Sequence, residues 1–407
     1  MMQYNLSEVK VLFPETISWE EFEKYSPLAP FDADVVKFLG LLSTSLLKDK
    51  ESRLYPDVIT FAFFCRKGSV NKLKERYADD SLRLGRGIVF HIGPSNVPVN
   101  FAYSLVAGLL AGNCNIVRCS SKNFPQVDLI VRHIGAVASS IPSVAKRIAI
   151  VRYGHESQAN DYFSSICQVR VIWGGDETVY RLRQSKTSAR TFDVTFADRY
   201  SFAVINADKL VEEGNLTRLA EKFYNDTYLF DQNACSAPHL VVWLGSPGNI
   251  ATGKEMFWKA EYDMVRKKRY HFESVMAIDK LVNFYKQSIA MNVSRTSPEN
   301  NELFRVHLNS PLPDCIDDYR GKCGYFTEYD ARSLDEIIPV VKYKYQTMAC
   351  YGIAADEIKK FVCRNHPIGI DRIVPFGETA AFSLIWDGYN LIDVLSRNIS
   401  IIENRAL

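Results

Sequence analysis

The sequence predicts an α/β protein with two lobes, the first of them built on a doubly wound parallel sheet. From Gly87 onwards, short apolar segments alternate with amphipathic ones, and such strand–helix repetition is typical of a parallel sheet covered by helices. The chain has 407 residues, and 47% of them are hydrophobic. A chain of this length is too long for a single ordinary hydrophobic core. We therefore expect ligands beyond the carboxyl ends of the strands, where polar turns lead into helices.

The elements follow from the spacing of apolar residues. Residues 1–80 are predicted to be mainly helical, with helices at 19–25, 35–47 and 55–64. The alternating region predicts strands at 88–92, 115–118, 148–151 and 169–173, and helices at 99–110, 126–137, 157–166 and 178–183. Further along we expect a helix at 208–229, a strand at 240–244, a helix starting at Ser333, a strand at 346–352 and a strand that ends near 374–378.

The composition excludes several classes of protein. With 49 basic and 47 acidic side chains, the net charge is +2, and without a dense basic run we expect no nucleic-acid partner. No apolar run approaches the roughly 20 residues of a membrane span, and no secretory signal is predicted. Nine cysteines without a Cys-x-x-Cys pair predict a reducing, cytoplasmic compartment. Seven scattered histidines predict no metal site.

A polar turn at residues 230–239 holds Cys235 between the predicted helix and the apolar strand that follows. Its neighbours Asp231, Gln232, Asn233 and Ser236 are a poor composition for a core segment, because buried amides and carboxylates need partners. We interpret Cys235 as a nucleophile, whereas most of the other cysteines are expected to be small buried side chains.

Three other polar turns follow predicted strands, at residues 93–98, 119–122 and 174–178. A dinucleotide needs close backbone approach and helix N–H groups for its pyrophosphate, and Gly174 with Gly175 could supply both. The Gly-x-Gly-x-x-Gly fingerprint itself is absent, because Gly85 and Gly87 precede their strand instead of following it.

Four motifs in order carry a family resemblance. They are Phe-His-Ile-Gly-Pro-Ser-Asn-Val-Pro at 90–98, Ala-Gly-Asn-Cys-Asn-Ile-Val-Arg at 111–118, Trp-Gly-Gly-Asp-Glu at 173–177 and Asp-Gln-Asn-Ala-Cys-Ser at 231–236. Together they resemble the long-chain acyl-CoA reductase family, the fatty acid reductases of bacterial bioluminescence systems, which is a branch of the aldehyde dehydrogenase superfamily. The resemblance covers roughly Gly85 to the carboxyl terminus.

The resemblance implies an aldehyde dehydrogenase-like α/β fold. N-terminal helices and a Rossmann-like nucleotide-binding domain would occupy residues 1–230, and the catalytic cysteine domain residues 231–385. The segment 386–407 would return to the first domain or to a subunit interface. The resemblance further suggests a homo-oligomer and an acyl-activating partner enzyme.

The resemblance also assigns roles to residues. Cys235 corresponds to the acylated thiol, and Asn96 to the asparagine whose amide, with the Cys235 N–H, forms an oxyanion hole. Gly174 and Gly175 match the turn that receives the pyrophosphate. Asp176 departs from the usual serine there, and we expect it to be the helix N-cap instead.

The cofactor expected from the resemblance is NADPH, with NADH as the other candidate. Arg118 stands in place of a lysine that holds the adenosine ribose, and Ser121 precedes Lys122 where many NAD-linked relatives have a glutamate. Arg118, Ser120, Ser121 and Lys122 would favour a ribose 2′-phosphate, which a carboxylate would repel.

A third departure indicates the reaction. Phe196 lies near the position of the glutamate that activates water in aldehyde oxidation, so hydrolysis of an acyl-enzyme is disfavoured. The sequence therefore predicts NAD(P)H-dependent reduction of an acyl-CoA or carrier-bound acyl thioester to the aldehyde, through an acylated Cys235. The motif that holds the nicotinamide ribose is replaced near residues 322–326, and no residue is assigned from it.

Three alternatives stay open at this point. A CoA-acylating aldehyde dehydrogenase would run the same chemistry in the oxidative direction. A cofactor-free cysteine acyltransferase or thioesterase would pair Cys235 with His239 or His91 as a base. A non-catalytic scaffold would be consistent with the departures at Asp176 and Phe196.

Overall fold

A computed structural model describes residues 4–77, 81–154, 157–296 and 301–402. The chain divides into two compact units, the first formed by residues 1–197 together with 383–407 and the second by residues 198–382. Parts of the expectations for residues 1–80 and 386–407 fall on residues 1–3, 78–80 and 403–407, which lie outside the described residues.

The first unit is built on a six-stranded sheet. Its strands, with a short strand β2 outside it, are β1 (Lys10–Phe13), β2 (Arg83–Gly85), β3 (Ile88–Ile92), β4 (Cys114–Cys119), β5 (Ile148–Arg152), β6 (Val169–Trp173) and β7 (Phe192–Phe196). The sheet order is β1-β5-β4-β3-β6-β7, and only β1, at the edge, runs antiparallel to its neighbour. Every residue of β3, β4 and β6 is buried, as expected for strands covered on both faces.

Helices connect and cover these strands. They are α1 (Trp19–Phe22), α2 (Ala33–Lys48), α3 (Pro56–Phe64), α4 (Lys67–Tyr77), α5 (Asn100–Leu110), α6 (Pro125–Ala138), α7 (Pro142–Ala145), α8 (Ala159–Ile166) and α9 (Asp176–Leu182), with a 3-10 turn at Ser52–Leu54. Proline opens α3, α6 and α7, where its missing N–H leaves no hydrogen bond unmade. The Asp32 carboxylate caps α2 by accepting the Asp34 and Val35 N–H groups.

The strand order reverses between β3 and β6. From β3 the chain proceeds to β4 and β5 on one side, and then returns to place β6 and β7 on the other. The loops after β3 and β6 therefore lie at the switch point of the sheet, where open α/β sheets bind their ligands. Those two loops contain Asn96 and the Gly174-Gly175 pair.

The second unit contains a seven-stranded sheet. Its strands are β8 (Tyr200–Asn206), β9 (Pro238–Leu244), β10 (Val293–Thr296), β11 (Phe304–Leu308), β12 (Tyr325–Asp330), β13 (Tyr345–Tyr351) and β14 (Arg372–Pro375). Their order is β10-β11-β12-β9-β8-β13-β14, with β10 antiparallel and the others parallel. Its helices are α10 (Ala207–Leu210), α11 (Thr217–Thr227), α12 (Pro247–Lys267), α13 (Ser274–Ala290) and α14 (Ala355–Asn365), with 3-10 turns at Tyr228–Phe230, Ile316–Asp318 and Leu334–Val340.

Aromatic side chains fill one face of the second sheet. The Phe223 ring lies 5.1 Å from Phe257 and 5.4 Å from Phe326, centroid to centroid. These rings belong to a buried cluster that joins α11 and α12 to the sheet. Offset and edge-to-face ring contacts of this kind add to the stabilisation that burial provides.

The carboxyl-terminal segment belongs to the first unit. It forms β15 (Ile385–Trp386), β16 (Tyr389–Asn390), α15 (Leu391–Leu395) and β17 (Ser396–Asn398). Strand β17 pairs antiparallel with β2, and the Arg83 guanidinium lies 2.9 Å from the Asp393 carboxylate. The described residues of the amino-terminal and carboxyl-terminal segments thus belong to the same unit.

The predicted fold class is confirmed, while several boundaries differ. The first unit ends at residue 197 instead of 230, because β8 pairs with β9 and β13 in the second sheet. The predicted helix 208–229 is two helices, α10 and α11, separated at Gly214 and Asn215, whose side chain accepts the Thr217 N–H. The helix predicted from Ser333 is instead a 3-10 turn at Leu334–Val340, and Pro339 within it cannot take part in the hydrogen-bond ladder of a regular α-helix.

Candidate active site

Cys235 lies in the turn between the 3-10 turn Tyr228–Phe230 and β9, and its side chain is partly exposed. Its backbone carbonyl accepts a 2.7 Å hydrogen bond from the Ser201 hydroxyl. The same hydroxyl oxygen accepts the Thr347 N–H at 3.1 Å. The buried Ser201 therefore ties the cysteine backbone to the starts of two neighbouring strands, β8 and β13.

The sulfur atom of Cys235 has an amide donor beside it. Gln346, at the start of β13, directs its Nε2 at the Sγ over 3.5 Å, and its side chain is completely buried. A hydrogen-bond donor at this position stabilises negative charge on the sulfur, since charge-assisted bonds are the stronger ones. Neither Ser201 nor Gln346 lies near Cys235 in sequence, and no local pattern marks them.

Gln232 holds the cysteine turn to a second segment. Its Oε1 accepts the N–H groups of Gly324 at 2.7 Å and Tyr325 at 3.0 Å. Its Nε2 donates to the carbonyls of Pro238 at 3.0 Å and Tyr325 at 3.2 Å. The side chain is 1% exposed, so all of these bonds lie in the interior. Both the oxygen and the nitrogen of the buried Gln232 amide therefore have hydrogen-bond partners, as a buried polar group requires.

The backbone of this turn is in an uncommon conformation. Asp231 and Gln232 have φ values of 51° and 56°, in the left-handed region that side chains disfavour. The Asp231 carbonyl accepts the Cys323 N–H at 3.1 Å, which adds a further tie to the segment before β12. Such a conformation persists only where the surroundings fix it. The turn is therefore held rigidly in front of β9.

The two candidate base histidines are both buried. The Nδ1 of His239 lies 2.8 Å from the Gly321 carbonyl oxygen. Because a carbonyl oxygen can only accept a hydrogen bond, this nitrogen carries the proton and donates it. In the first unit, His91 contacts the Ser104 hydroxyl at 2.7 Å and the Asn115 Oδ1 at 3.0 Å, so both of its ring nitrogens are engaged. Burial lowers the pKa of each histidine to about 4.

Asn96 lies on the loop that follows β3 in the first unit, and its side chain is exposed. The loop begins at Gly93, whose N–H donates to the Arg118 carbonyl at 2.9 Å. A Cβ at residue 93 would come within 3.1 Å of that carbonyl oxygen. The glycine thus allows the loop to leave the sheet close to β4.

The four residues expected at a ribose phosphate divide into two pairs at the end of β4. Arg118 is 4% exposed, lies over the Tyr153 ring at 5.0 Å and donates to the Tyr153 carbonyl at 3.3 Å. Ser120 is 9% exposed and its hydroxyl accepts the Lys122 N–H at 3.1 Å. Ser121 and Lys122 are exposed. Of these four residues, only Ser121 and Lys122 are accessible to a ligand.

The Gly174-Gly175 turn precedes α9. Gly175 is the N-cap, and a Cβ there would meet no atom within 4 Å, so the backbone is open to close approach. Asp176 is the first residue of the helix, so the expectation that it caps α9 is wrong. As an acid in the first turn it complements the helix dipole.

Phe196 ends β7 and packs in the first unit. Its ring stacks on Trp173 with centroids 3.8 Å apart and planes 18° apart, and the side chain is 5% exposed. The Gly174 N–H donates to the Phe196 carbonyl at 3.2 Å, which joins this residue to the glycine turn. The position therefore holds an aromatic contact and supplies no carboxylate.

The described residues contain neither a metal-binding cluster nor a membrane-spanning helix. Among residues 4–77, 81–154, 157–296 and 301–402, no cluster of three or more His, Cys, Asp or Glu side chains could hold a metal ion. Within the same ranges, no helix combines the length and the apolar character needed to cross a bilayer.

Comparisons with known proteins identify the family of this chain. Residues 65–397 match the family described as acyl-CoA reductase (LuxC). A long-chain acyl-protein thioester reductase of Vibrio harveyi is 23% identical over 306 residues, which cover 73% of this chain and 60% of that protein. The chain thus spans about 60% of the length of this relative.

Solved structures show the same fold at low identity. Lactaldehyde dehydrogenase from Escherichia coli superimposes with a TM-score of 0.64 at 10% identity, over 93% of this chain and 87% of that one. Betaine aldehyde dehydrogenase from Staphylococcus aureus, solved with NAD+, gives 0.63 at 12% identity, over 93% and 84%. The expected resemblance is confirmed: the chain has an aldehyde dehydrogenase-like fold and belongs to the acyl-CoA reductase (LuxC) family.

Proposed function

We propose that this protein reduces an acyl thioester to the aldehyde through an acyl-enzyme on Cys235. The observation that carries the proposal is the cysteine turn itself, in which a partly exposed thiol is fixed by Ser201 and Gln232 and contacted by the Gln346 amide. The matched family and the name of its Vibrio harveyi relative support an acyl thioester as substrate. We take that acyl group to be fatty, carried by CoA or by a carrier protein.

The first half of the reaction acylates the cysteine. The Cys235 sulfur forms a bond to the acyl carbonyl carbon, and the carrier thiolate leaves as the original C–S bond breaks. The negative charge on the tetrahedral oxygen needs fixed donors, for which we propose the Cys235 N–H and the Asn96 amide. Gln346 is proposed to stabilise the attacking thiolate, because its Nε2 lies 3.5 Å from the sulfur.

The second half reduces the enzyme-bound thioester. A reduced nicotinamide held by the Gly174-Gly175 turn and by Ser121 and Lys122 would supply a hydride for the carbonyl carbon of the thioester. Breaking of the bond between that carbon and the Cys235 sulfur then releases the aldehyde and restores the thiolate. The residues at the switch point of the first sheet fit such a cofactor. Gly175 leaves open space for a pyrophosphate at the start of α9, and Lys122 presents a cation after β4.

NADPH is our proposed cofactor, and the exposed residues carry this proposal. Ser121 and Lys122 provide a hydroxyl and an ammonium for a 2′-phosphate, without a carboxylate at either position. Arg118 is packed on Tyr153, so we assign it the support of this turn rather than a direct phosphate contact. Ser120 similarly shapes the turn by accepting the Lys122 N–H.

Water-dependent and cofactor-free alternatives are less well supported. Phe196 stacks on Trp173 and provides no base for water, which favours hydride over hydrolysis. For a thioesterase or acyltransferase, His91 and His239 are both buried and burial lowers the pKa of each to about 4, so each is a weak base at neutral pH. The oxidative direction uses the same residues, and we propose it as the reverse of the same reaction.

The proposal is tested by following NADPH absorbance, with NADH in parallel, as the purified protein meets acyl-CoAs of increasing chain length. We expect cofactor oxidation coupled to aldehyde formation, its loss in Cys235→Ala, and its retention in Cys363→Ala, which removes an exposed thiol on α14. A folded, cofactor-saturated protein inactive with every thioester would contradict the proposal. Adding aldehyde, CoA and NADP+ measures the reverse direction.

A further inference from the structure

The carboxyl end of α12 lies against the turn that holds Cys235. The helix ends in a Schellman motif, in which the Arg269 N–H donates to the Arg266 carbonyl at 3.1 Å and the Tyr270 N–H donates to the Val265 carbonyl at 3.2 Å. Arg269 has the left-handed conformation that this motif requires, with a φ of 52°. These bonds fix the backbone of Tyr270 relative to the helix.

The hydroxyl group of Tyr270 binds the first residue of the cysteine turn. It donates a 2.5 Å hydrogen bond to Oδ1 of Asp231. A hydrogen bond from a hydroxyl to a carboxylate is short, and it is roughly twice as strong as one between neutral groups. Both side chains are partly buried, and the lower dielectric of the interior strengthens such a bond.

The ring of Tyr270 packs on the same part of the chain. It lies edge-on to the Tyr228 ring, with centroids 4.9 Å apart and planes 79° apart. Tyr228 is buried, stacks on Tyr224 at 5.3 Å and donates its hydroxyl to the Glu302 carbonyl at 3.1 Å. The Tyr228 carbonyl accepts the Asp231 N–H at 3.2 Å. Tyr270 therefore rests on a fixed ring while its hydroxyl holds Asp231.

The same hydroxyl joins two segments of left-handed backbone. Asp231 has φ and ψ values of 51° and 32°, and Cys323, whose N–H binds the Asp231 carbonyl at 3.1 Å, has a φ of 58°. The Cys323 thiol is also a hydrogen-bond partner of the Tyr270 hydroxyl. Residues with side chains keep this conformation where their surroundings fix it, and Tyr270 is part of those surroundings.

We propose that Tyr270 is a positioning residue for Cys235, an inference that rests on the proposed acylation of this thiol. Asp231 begins the cysteine turn, and Ser201 holds the carbonyl of Cys235 further along it. With both points fixed, the sulfur stays 3.5 Å from Nε2 of Gln346. Without the Tyr270 hydroxyl the start of the turn is free to shift. A displacement of the sulfur by about 1 Å weakens the Gln346 contact and slows attack on the acyl group.

The first test removes the hydroxyl from the full-length protein and measures the reduction of a long-chain acyl-CoA by NADPH. Tyr270→Phe keeps the ring contact, so we expect kcat to fall about tenfold while KM stays within about twofold. Tyr262→Phe removes the hydroxyl of another partly buried tyrosine on α12 and should leave both constants unchanged. A Tyr270→Phe variant as active as the wild type overturns this inference, whereas a wild type that reduces no thioester contradicts the proposed function.

The second test needs no reductase activity, because it follows the alkylation of Cys235 by iodoacetamide with peptide mass spectrometry. Weakening the Gln346 contact removes a donor that stabilises the thiolate. The midpoint of the alkylation rate against pH should therefore rise by at least about half a pH unit in Tyr270→Phe. A purely structural role would lower the melting temperature and leave this midpoint unchanged, and that result overturns the inference.

The third test establishes whether Tyr270 acts through Asp231. Asp231→Asn keeps an acceptor oxygen and tolerates left-handed backbone, so its alkylation midpoint should stay close to that of the wild type. Asp231→Gly removes the acceptor without adding strain at a φ of 51°, and it should behave as Tyr270→Phe does. Because both changes remove the same bond, the double variant Y270F/D231G should shift the midpoint no further than either single variant. Additive shifts would show that Tyr270 acts elsewhere and would overturn the inference.

Discussion

The reactivity we assign to Cys235 depends on side chains that are distant in sequence. Ser201 precedes it by 34 residues and Gln346 follows it by 111, yet one binds its carbonyl and the other contacts its sulfur. Gln232 is near in sequence but acts through the segment at 324–325. A nucleophile held by three strands keeps its position while the acyl group binds and leaves. Hydrogen-bond donors in fixed positions can stabilise the developing oxyanion only if the nucleophile keeps this position.

Replacing Gln346 should slow the acylation of Cys235. Gln346→Leu removes the N–H donor near the sulfur, and we expect about a tenfold loss in the rate of iodoacetamide alkylation and in kcat/KM. Gln346→Glu keeps the shape but places an acceptor there, so its loss should be larger. Melting temperatures of the three proteins serve as the control. Equal alkylation rates in folded variants would show that the contact has no chemical role.

Cofactor preference should depend on the exposed pair after β4. The double change Ser121→Glu with Lys122→Ala introduces a carboxylate and removes a cation, so we expect kcat/KM for NADPH to fall at least about tenfold while that for NADH changes little. Lys37→Ala removes an exposed cation of the same unit and provides the matched control. If the double variant kept the selectivity of the wild type for NADPH over NADH, residues other than Ser121 and Lys122 would contact the 2′-phosphate.

At the residue scale, the sequence was informative where chemistry and local pattern coincide. The polar composition around Cys235 indicated an unusual turn, and the structure gives Gln232 its four hydrogen bonds. Ser201 and Gln346 were missed, because a serine and a glutamine in apolar strands carry no signal until the strands are paired. Arg118 was expected to contact a ribose phosphate, but the Tyr153 ring and carbonyl hold its side chain in the interior.

Elements of the first unit are joined by a buried polar chain. Trp173 Nε1 donates to the Ser104 hydroxyl at 3.0 Å, and Ser104 in turn contacts His91, which contacts Asn115. The chain crosses from β6 to α5 to β3 to β4, so it fixes the strands on both sides of the switch point. Since buried polar groups are costly when unpaired, loss of one member should weaken the whole set.

Gly108 makes this chain possible, and alanine there should disrupt it. A Cβ on Gly108 would lie 1.9 Å from Asn115 Oδ1 and 2.9 Å from His91 Nε2, so α5 would have to move away from the sheet. We expect Gly108→Ala to lower the free energy of unfolding by about 3 kcal/mol in urea titrations. Gly135→Ala in α6, where no atom lies within 4 Å, should instead stabilise by about 0.5–1 kcal/mol. Equal effects would refute the packing argument.

Periodicity predicted the covered strands of the first sheet well and missed most strands of the second. The first and last residues of the strands at 88–92 and 169–173 were predicted correctly. A strand that is buried on both faces is an uninterrupted run of hydrophobic residues, so its ends are easy to recognise. The edge strands β1, β7 and β10 were missed, since they are short or only partly buried. The inner strands β8, β11 and β12 of the second sheet were missed as well, although β8 is buried at every residue but its last. The break between α10 and α11 was missed because the apolar spacing continues across Gly214.

On the scale of the whole molecule, each unit has its own sheet and its own core. In the second unit the core includes an acid, Glu261, which lies on α12, is completely buried and has no hydrogen-bond partner among the described residues. Burial first, and the nearby Asp226 second, raise the pKa of Glu261 well above its ordinary 4.5. The folded protein therefore keeps a proton that the unfolded chain releases.

Stability should consequently fall as the pH rises above about 4.5, in a manner specific to Glu261. The folded state binds more protons than the unfolded state in this range, so each pH unit removes up to ~1.4 kcal/mol from this source. Glu261→Met should be more stable than the wild type by an amount that grows between pH 5 and pH 8, as measured in urea. Glu255→Met, an exposed position on the same helix, is the control. A pH-independent difference would refute the assignment.

The central claim is that Cys235 carries the acyl group between the thiol carrier and the hydride. Intact-protein mass spectrometry tests it most directly, after mixing the protein with a long-chain acyl-CoA in the absence of nicotinamide cofactor. We predict a mass increase of one acyl group that peptide mapping places on Cys235, that is absent in Cys235→Ala, and that disappears with release of aldehyde when NADPH is added. An adduct on another residue, or an adduct on Cys235 that NADPH leaves in place, would contradict this account.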